Sequence, residues 1–183
     1  MAEIKSSIEL AMERTKGLTF SEEERRKLEE EREQRLAQAL VSQYLRGEVS
    51  LGELERKRRD CTDAGRMALD RALVQGLSLG MESFEPAMEA LENWLGKGNR
   101  TALQRLKSLS MEWGQALQKR RRKIKAELRA ELASRGVGGS AVEPHVEGSP
   151  LWEKALQELR GQFQGRFLEI QELLLKALSN SGP

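Results

Sequence analysis

The chain has a single cysteine, Cys61, and a single histidine, His145, among 183 residues. One cysteine excludes an intramolecular disulfide framework and fits a reducing compartment. One histidine, placed after Pro144 in a glycine-rich stretch, excludes a His-rich or Cys-rich zinc site and the helix-borne Glu-x-x-His pairs of di-iron bundles. A nucleophilic triad would have to use His145, and neither a nucleophile elbow nor an activated-cysteine context accompanies it. No apolar run approaches the length of a membrane span, and Glu3, Glu9 and Glu13 interrupt the apolar residues of the N-terminus, so no signal-peptide pattern is present. "GKGNRT" lacks the glycine spacing and the Lys-Ser/Thr pair of a phosphate loop. Carboxylates abound in "EEERRKLEEERE", but they alternate with bases at helical spacing, which provides no pocket to push paired pKa values apart. These absences predict a cytoplasmic protein with no cofactor, no metal, no membrane partner and no enzymatic activity.

What is abundant is charge: a third of the residues are Asp, Glu, Lys or Arg, only 4% are aromatic, and Leu, Ala, Glu, Arg and Lys recur throughout. That composition belongs to long helices or coiled coils, which bury a narrow seam in place of a round core. Net charge is only +2, yet the signs cluster, with acids from Glu22 to Glu33 and bases in "ERKRRD" and "QKRRRKIK". Residues 2–17 place Ile4, Ile8, Ala11, Met12 and Thr15 at helical spacing before Gly17, a narrow amphipathic helix that must dock on the chain or on a partner. Ser21 and Glu24 have capping-box spacing and open a helix to about Arg46, closed by Gly47. Ser50 and Glu53 repeat the spacing and open a helix carrying Leu54, Cys61, Ala64, Met67, Ala68 and Leu73, with Cys61 on its buried side. Gly76 and Gly80 mark a terminus or a close helix contact, and a short helix starts near Ser83 with Pro86 in its first turn.

From Asn99 the apolar pattern runs without a breaker to Arg135. "GVGGSAVEPHVEGSP" excludes regular helix, although its valines allow it to pack across a hairpin tip. Ser149 and Pro150 then supply the N-cap and first position of a last helix. The simplest arrangement folds the two long helices antiparallel. The expected seam sets Trp113, Leu117, Ile124 and Leu128 against Phe163, Phe167, Ile170 and Leu174.

Seven bases stand between Lys119 and Arg129 against one acid, Glu127. At 100° per residue, Arg122, Lys125 and Arg129 lie opposite the seam while Arg120 and Arg121 flank it, so the charge wraps the helix. Arg120, Arg122, Lys123, Lys125 and Arg129 are candidate contacts for phosphate or for an acidic partner. With no aromatics interleaved, nucleic-acid binding there would be backbone-directed and salt-sensitive.

"MAEIKSSIELAMERTKGL" and "GVGGSAVEPHVEGSPLW" together resemble an uncharacterised family of small helical bacterial proteins. The resemblance spans most of the chain. It implies a bacterial cytoplasmic protein, and because its motifs carry no assigned chemistry, no site residue transfers.

The reading is therefore an all-α chain: a long antiparallel helical hairpin or coiled coil over 99–183, with a Gly/Pro-rich loop at 136–150, and shorter N-terminal helices over 1–98. Its expected role is a non-enzymatic scaffold or adaptor working through coiled-coil self-association, as a homo-oligomer, and contacts with protein partners. The alternative is a nucleic-acid- or ribosome-associated protein using the basic stretch 119–129.

Overall fold

The computed structural model describes residues 21–95, 100–139 and 143–180. The amphipathic segment 2–17, Asn99, Ala141 and Val142 lie outside them. Every regular element among the described residues is an α-helix: α1 (Glu22–Leu45), α2 (Leu51–Asp60), α3 (Asp63–Gly76), α4 (Phe84–Leu95), α5 (Arg100–Ser134) and α6 (Pro150–Asn180).

The caps read from sequence are present. Ser21 accepts from the Glu24 amide at 3.2 Å, and the Ser21 amide donates to the Glu24 carboxylate at 2.8 Å, which completes a capping box. Ser50 caps α2, and Ser149 accepts from the Trp152 amide at the start of α6. After α1 the chain reverses at Gly47, whose φ of +76° lets its amide and that of Glu48 reach back to the Tyr44 and Gln43 carbonyls.

The expected single helix after Ser50 is two helices. Cys61 is extended, with φ −77° and ψ 156°, and Thr62 starts α3 as a new N-cap by accepting from the Gly65 amide at 3.0 Å. The break overturns the buried placement of Cys61, which is exposed. Met67 is also exposed, at 47%. The spacing of Leu54, Cys61 and Ala68 mimics a continuous helix only because the turn falls where a seven-residue repeat would continue.

One core gathers around the place where α5 begins and α6 ends. Leu103, Leu106 and Leu109 of α5 and Ile170, Leu174 and Leu178 of α6 join residues of all four shorter helices there. Leu54, Leu73, Leu91, Leu106, Leu109 and Leu174 are completely enclosed. Removing one such leucine side chain costs about 2–5 kcal/mol, which makes this base the main source of stability. Tyr44 ties α1 to α4 by donating to the Pro86 carbonyl at 2.8 Å, and Gln171 ties α6 to α3 by donating to the Val74 carbonyl at 2.8 Å. Burial, reinforced by Glu89 and Glu55, pushes the Tyr44 hydroxyl pKa up to about 12.

Arg58 of α2 and Asp70 of α3 form a bidentate pair at 2.7 and 3.1 Å inside this base, their side chains only 14% and 9% exposed. The guanidinium also stacks over the Trp94 ring, 4.6 Å from its centroid. Planar, delocalised charge suits both contacts at once.

Candidate functional site: the hairpin arm

Glu112 pairs with Arg166 at 2.7 Å, Trp113 meets Phe163 edge-on at 5.4 Å, and Arg120 pairs with Glu158 at 3.2 Å. Partners thus descend along α6 as they ascend along α5, so the helices run antiparallel. Beyond Trp113, over the span of about 32 Å that reaches Ser134 at 1.5 Å per residue, Ile124 is the only buried residue of α5. This distal part is a two-helix arm standing clear of the core. Its own small cluster contains Ile124, Val146, Trp152 and Ala155, flanked by Leu117, Leu128 and Leu156.

The expected seam is therefore redistributed. Trp113 does face Phe163. Ile124 and Leu128, however, pack with Val146, Trp152, Ala155 and Leu156 in place of Phe163, Phe167, Ile170 and Leu174. Ile170 and Leu174 are buried in the base, where Phe163 and Phe167 pack against the same cluster. The physical reason lies in the loop. Residues 143–149 do not simply bridge the helix ends but fold back beside α5, inserting Val146 at 2% exposure against the position of Ile124. The helix-to-helix register shifts accordingly.

That fold-back also decides the surroundings of the basic stretch. Glu143 contacts Lys125 and Arg129, Glu147 contacts Arg121, Glu158 contacts Arg120, and Glu127 lies 3.8 Å from Lys123. Five of the seven bases thereby have an acidic neighbour on the same arm; among the described residues, Lys119 and Arg122 have none. The hydrogen bond from Lys125, with its charge, holds the Glu143 carboxyl below its ordinary pKa. Arg166 does the same for Glu112. The acid-rich first half of α1 takes no part in this neutralisation: residues 21–32 are all exposed, and Arg26–Glu30 and Arg35–Glu31 are paired within the helix.

The root of the arm has two further features. A groove of about 510 Å³ opens between the α3–α4 connection and the hairpin, lined by Leu79, Met81, Leu117, Leu156, Phe163 and Phe167 with Arg160 and Gln164. Gly80 forms part of its wall with φ +74°. A β-carbon there would stand 2.6 Å from the Trp113 indole nitrogen, which is buried without a hydrogen-bond partner among the described residues. Near the same level, Gly114 of α5 and Gly161 and Gly165 of α6 all have open space where a side chain would be.

His145 is exposed in the folded-back loop beside α5, 3.9 Å from Glu147. Among the described residues no cluster of three or more His, Cys, Asp or Glu side chains is arranged to hold a metal ion, and no helix is long and apolar enough to cross a membrane. Comparison with protein-family models, with curated proteins and with solved structures gives no match for the chain.

Proposed function

We propose that this chain is a non-enzymatic scaffold or adaptor of the cytoplasm that works through protein–protein contacts and self-association. The carrying observation is the arm itself: about 20 Å of paired helix from the Trp113–Phe163 contact to the start of α6, sealed by one small cluster, with most of its basic charge answered by its own acids. Such an element extends reach and surface without forming a cavity around polar groups. Self-neutralised bases release few counterions on meeting phosphate, which weighs against nucleic acid as the main partner.

The test is sedimentation of the purified full chain over a range of concentrations, joined to copurification from native lysate with and without nuclease. A concentration-dependent increase in mass, with protein partners retained after nuclease, is the expected result. A strictly monomeric chain whose partners all vanish with nuclease would overturn the scaffold reading and move attention to Lys119 and Arg122.

A further inference from the structure

The groove at the root of the arm, about 510 Å³, falls within the span of small-molecule sites, about 300–1,000 Å³, and its wall is mostly apolar. Leu79, Leu117, Leu156, Phe163 and Phe167 are each half-buried in it, packed on one side and open on the other. Along α6, Leu156, Arg160, Phe163 and Phe167 share one stripe of the helix, in steps of four, three and four, so Arg160 takes a place that apolar residues hold before and after it. The stripe runs for about 16 Å at 1.5 Å per residue.

Arg160 is the anomaly in that wall. Its neighbours one turn away on α6, Leu156, Gln157, Phe163 and Gln164, are uncharged, and no Asp or Glu lines the groove. Its guanidinium has no carboxylate partner among the described residues, whereas Arg120 and Arg166 of the same hairpin are paired with Glu158 and Glu112. The indole nitrogen of Trp113, in the same wall beside Gly80, is likewise buried with no acceptor. Donors are therefore in excess beside an apolar trough. Their complement is a molecule with an apolar body and one anionic, hydrogen-bond-accepting end. The planar fork of a single guanidinium matches a carboxylate, two N–H donors meeting two oxygens.

We propose that the groove at the root of the arm binds a single-chain carboxylate of the fatty-acid type, its head on Arg160 and its tail against Phe163, Phe167 and Leu79. This goes beyond the scaffold reading and does not depend on it.

The test is calorimetric titration of the full-length chain with sodium decanoate, kept below micelle formation, beside the variants Arg160→Gln and Met81→Glu; both side chains are exposed and neither belongs to the core. The parent should bind one decanoate per chain, and 1-decanol, which lacks the charge, about tenfold more weakly. Arg160→Gln should weaken decanoate by about tenfold or more and leave decanol unchanged, and Met81→Glu, which sets an acid in the same wall, should weaken decanoate as well. Followed by nuclear magnetic resonance, the Trp113 indole N–H should shift to saturation while that of Trp94, in the base, stays in place. Absence of saturable binding, decanol bound as tightly as decanoate, or an Arg160→Gln variant that keeps both its helicity and the parent's affinity would each overturn the proposal. A parent dimer that decanoate dissociates would assign the groove to a second copy and overturn it too.

Discussion

Asp70→Ala leaves Arg58 with a charged side chain that is only 14% exposed and no carboxylate to meet it. The substitution removes two charge-assisted hydrogen bonds, at 2.7 and 3.1 Å, while the guanidinium stays pinned over Trp94 by the same packing that buries it. Breaking one side of such a pair costs about 3–5 kcal/mol, most of it the penalty for the orphaned charge. Arg58→Met strands Asp70 in the same way and should cost a similar amount. Replacing both partners, Arg58→Met with Asp70→Leu, removes the desolvation penalty together with the attraction, and should recover to within about 1 kcal/mol of the parent. Urea unfolding followed by far-ultraviolet circular dichroism measures all four corners of the cycle. At about 2–4 °C per kcal/mol for a chain of this size, each single variant should also melt roughly 6–20 °C earlier. Single variants within about 1 kcal/mol of the parent, or a double variant as weak as the sum of the two singles, would refute the argument that the pair is desolvated and coupled.

Ile124→Asp places an unpaired charge in the arm's own cluster and should open the arm, quenching or shifting Trp152 fluorescence, while the transition of the base is retained; loss of both together would show that the two clusters are one unit. Gly80→Ala should cost about 1–3 kcal/mol in thermal unfolding, because alanine resists φ +74° and its methyl collides with the Trp113 indole; an unchanged melting temperature would contradict that geometry. Glu143 has a depressed folded-state pKa, so the tether it provides is fully present above the ordinary glutamate value of 4.5 and fades as pH falls through the lower folded value. Acid titration followed at the loop amides should release residues 143–147 in that window, and Glu143→Gln should abolish the transition. Burial, then Glu33 and Asp60, push the Cys61 thiol above its ordinary pKa, so alkylation near pH 7 should be slower than for a free thiol and should quicken in Asp60→Asn.

The all-helical class, the caps at Ser21, Ser50 and Ser149, and the great length of α5 were legible because each is written locally, in spacing and in cap chemistry. The α2–α3 break was written too, in "CTDAG", where Thr62 precedes Asp63 and a glycine at the third helical position. A continuing seven-residue repeat of Leu54, Cys61 and Ala68 concealed it. Arg58 and Asp70 were not legible. One is indistinguishable from its neighbours in "ERKRRD", and the other is a lone acid on an apolar helix, so only tertiary packing tells them apart from solvated charge. The redistributed seam failed for a related reason: helical spacing shows which face is apolar, but the offset between two faces depends on how much of the connecting loop lies alongside them. Val146, Glu143 and Glu147 were visible as residues; that they would meet Ile124, Lys125 and Arg121 was not.

Gly114, Gly161 and Gly165 fall within about one helical turn of one another where the arm leaves the core, and no neighbouring atom forbids a side chain at any of them. Each glycine in a helix interior gives up about 1 kcal/mol relative to alanine, so both long helices give up helix propensity near the same level. Helix propensity is therefore lowest in both helices of the hairpin close to where the arm leaves the core. A bend of about 10° there would carry the end of α5, about 30 Å away, through about 5 Å.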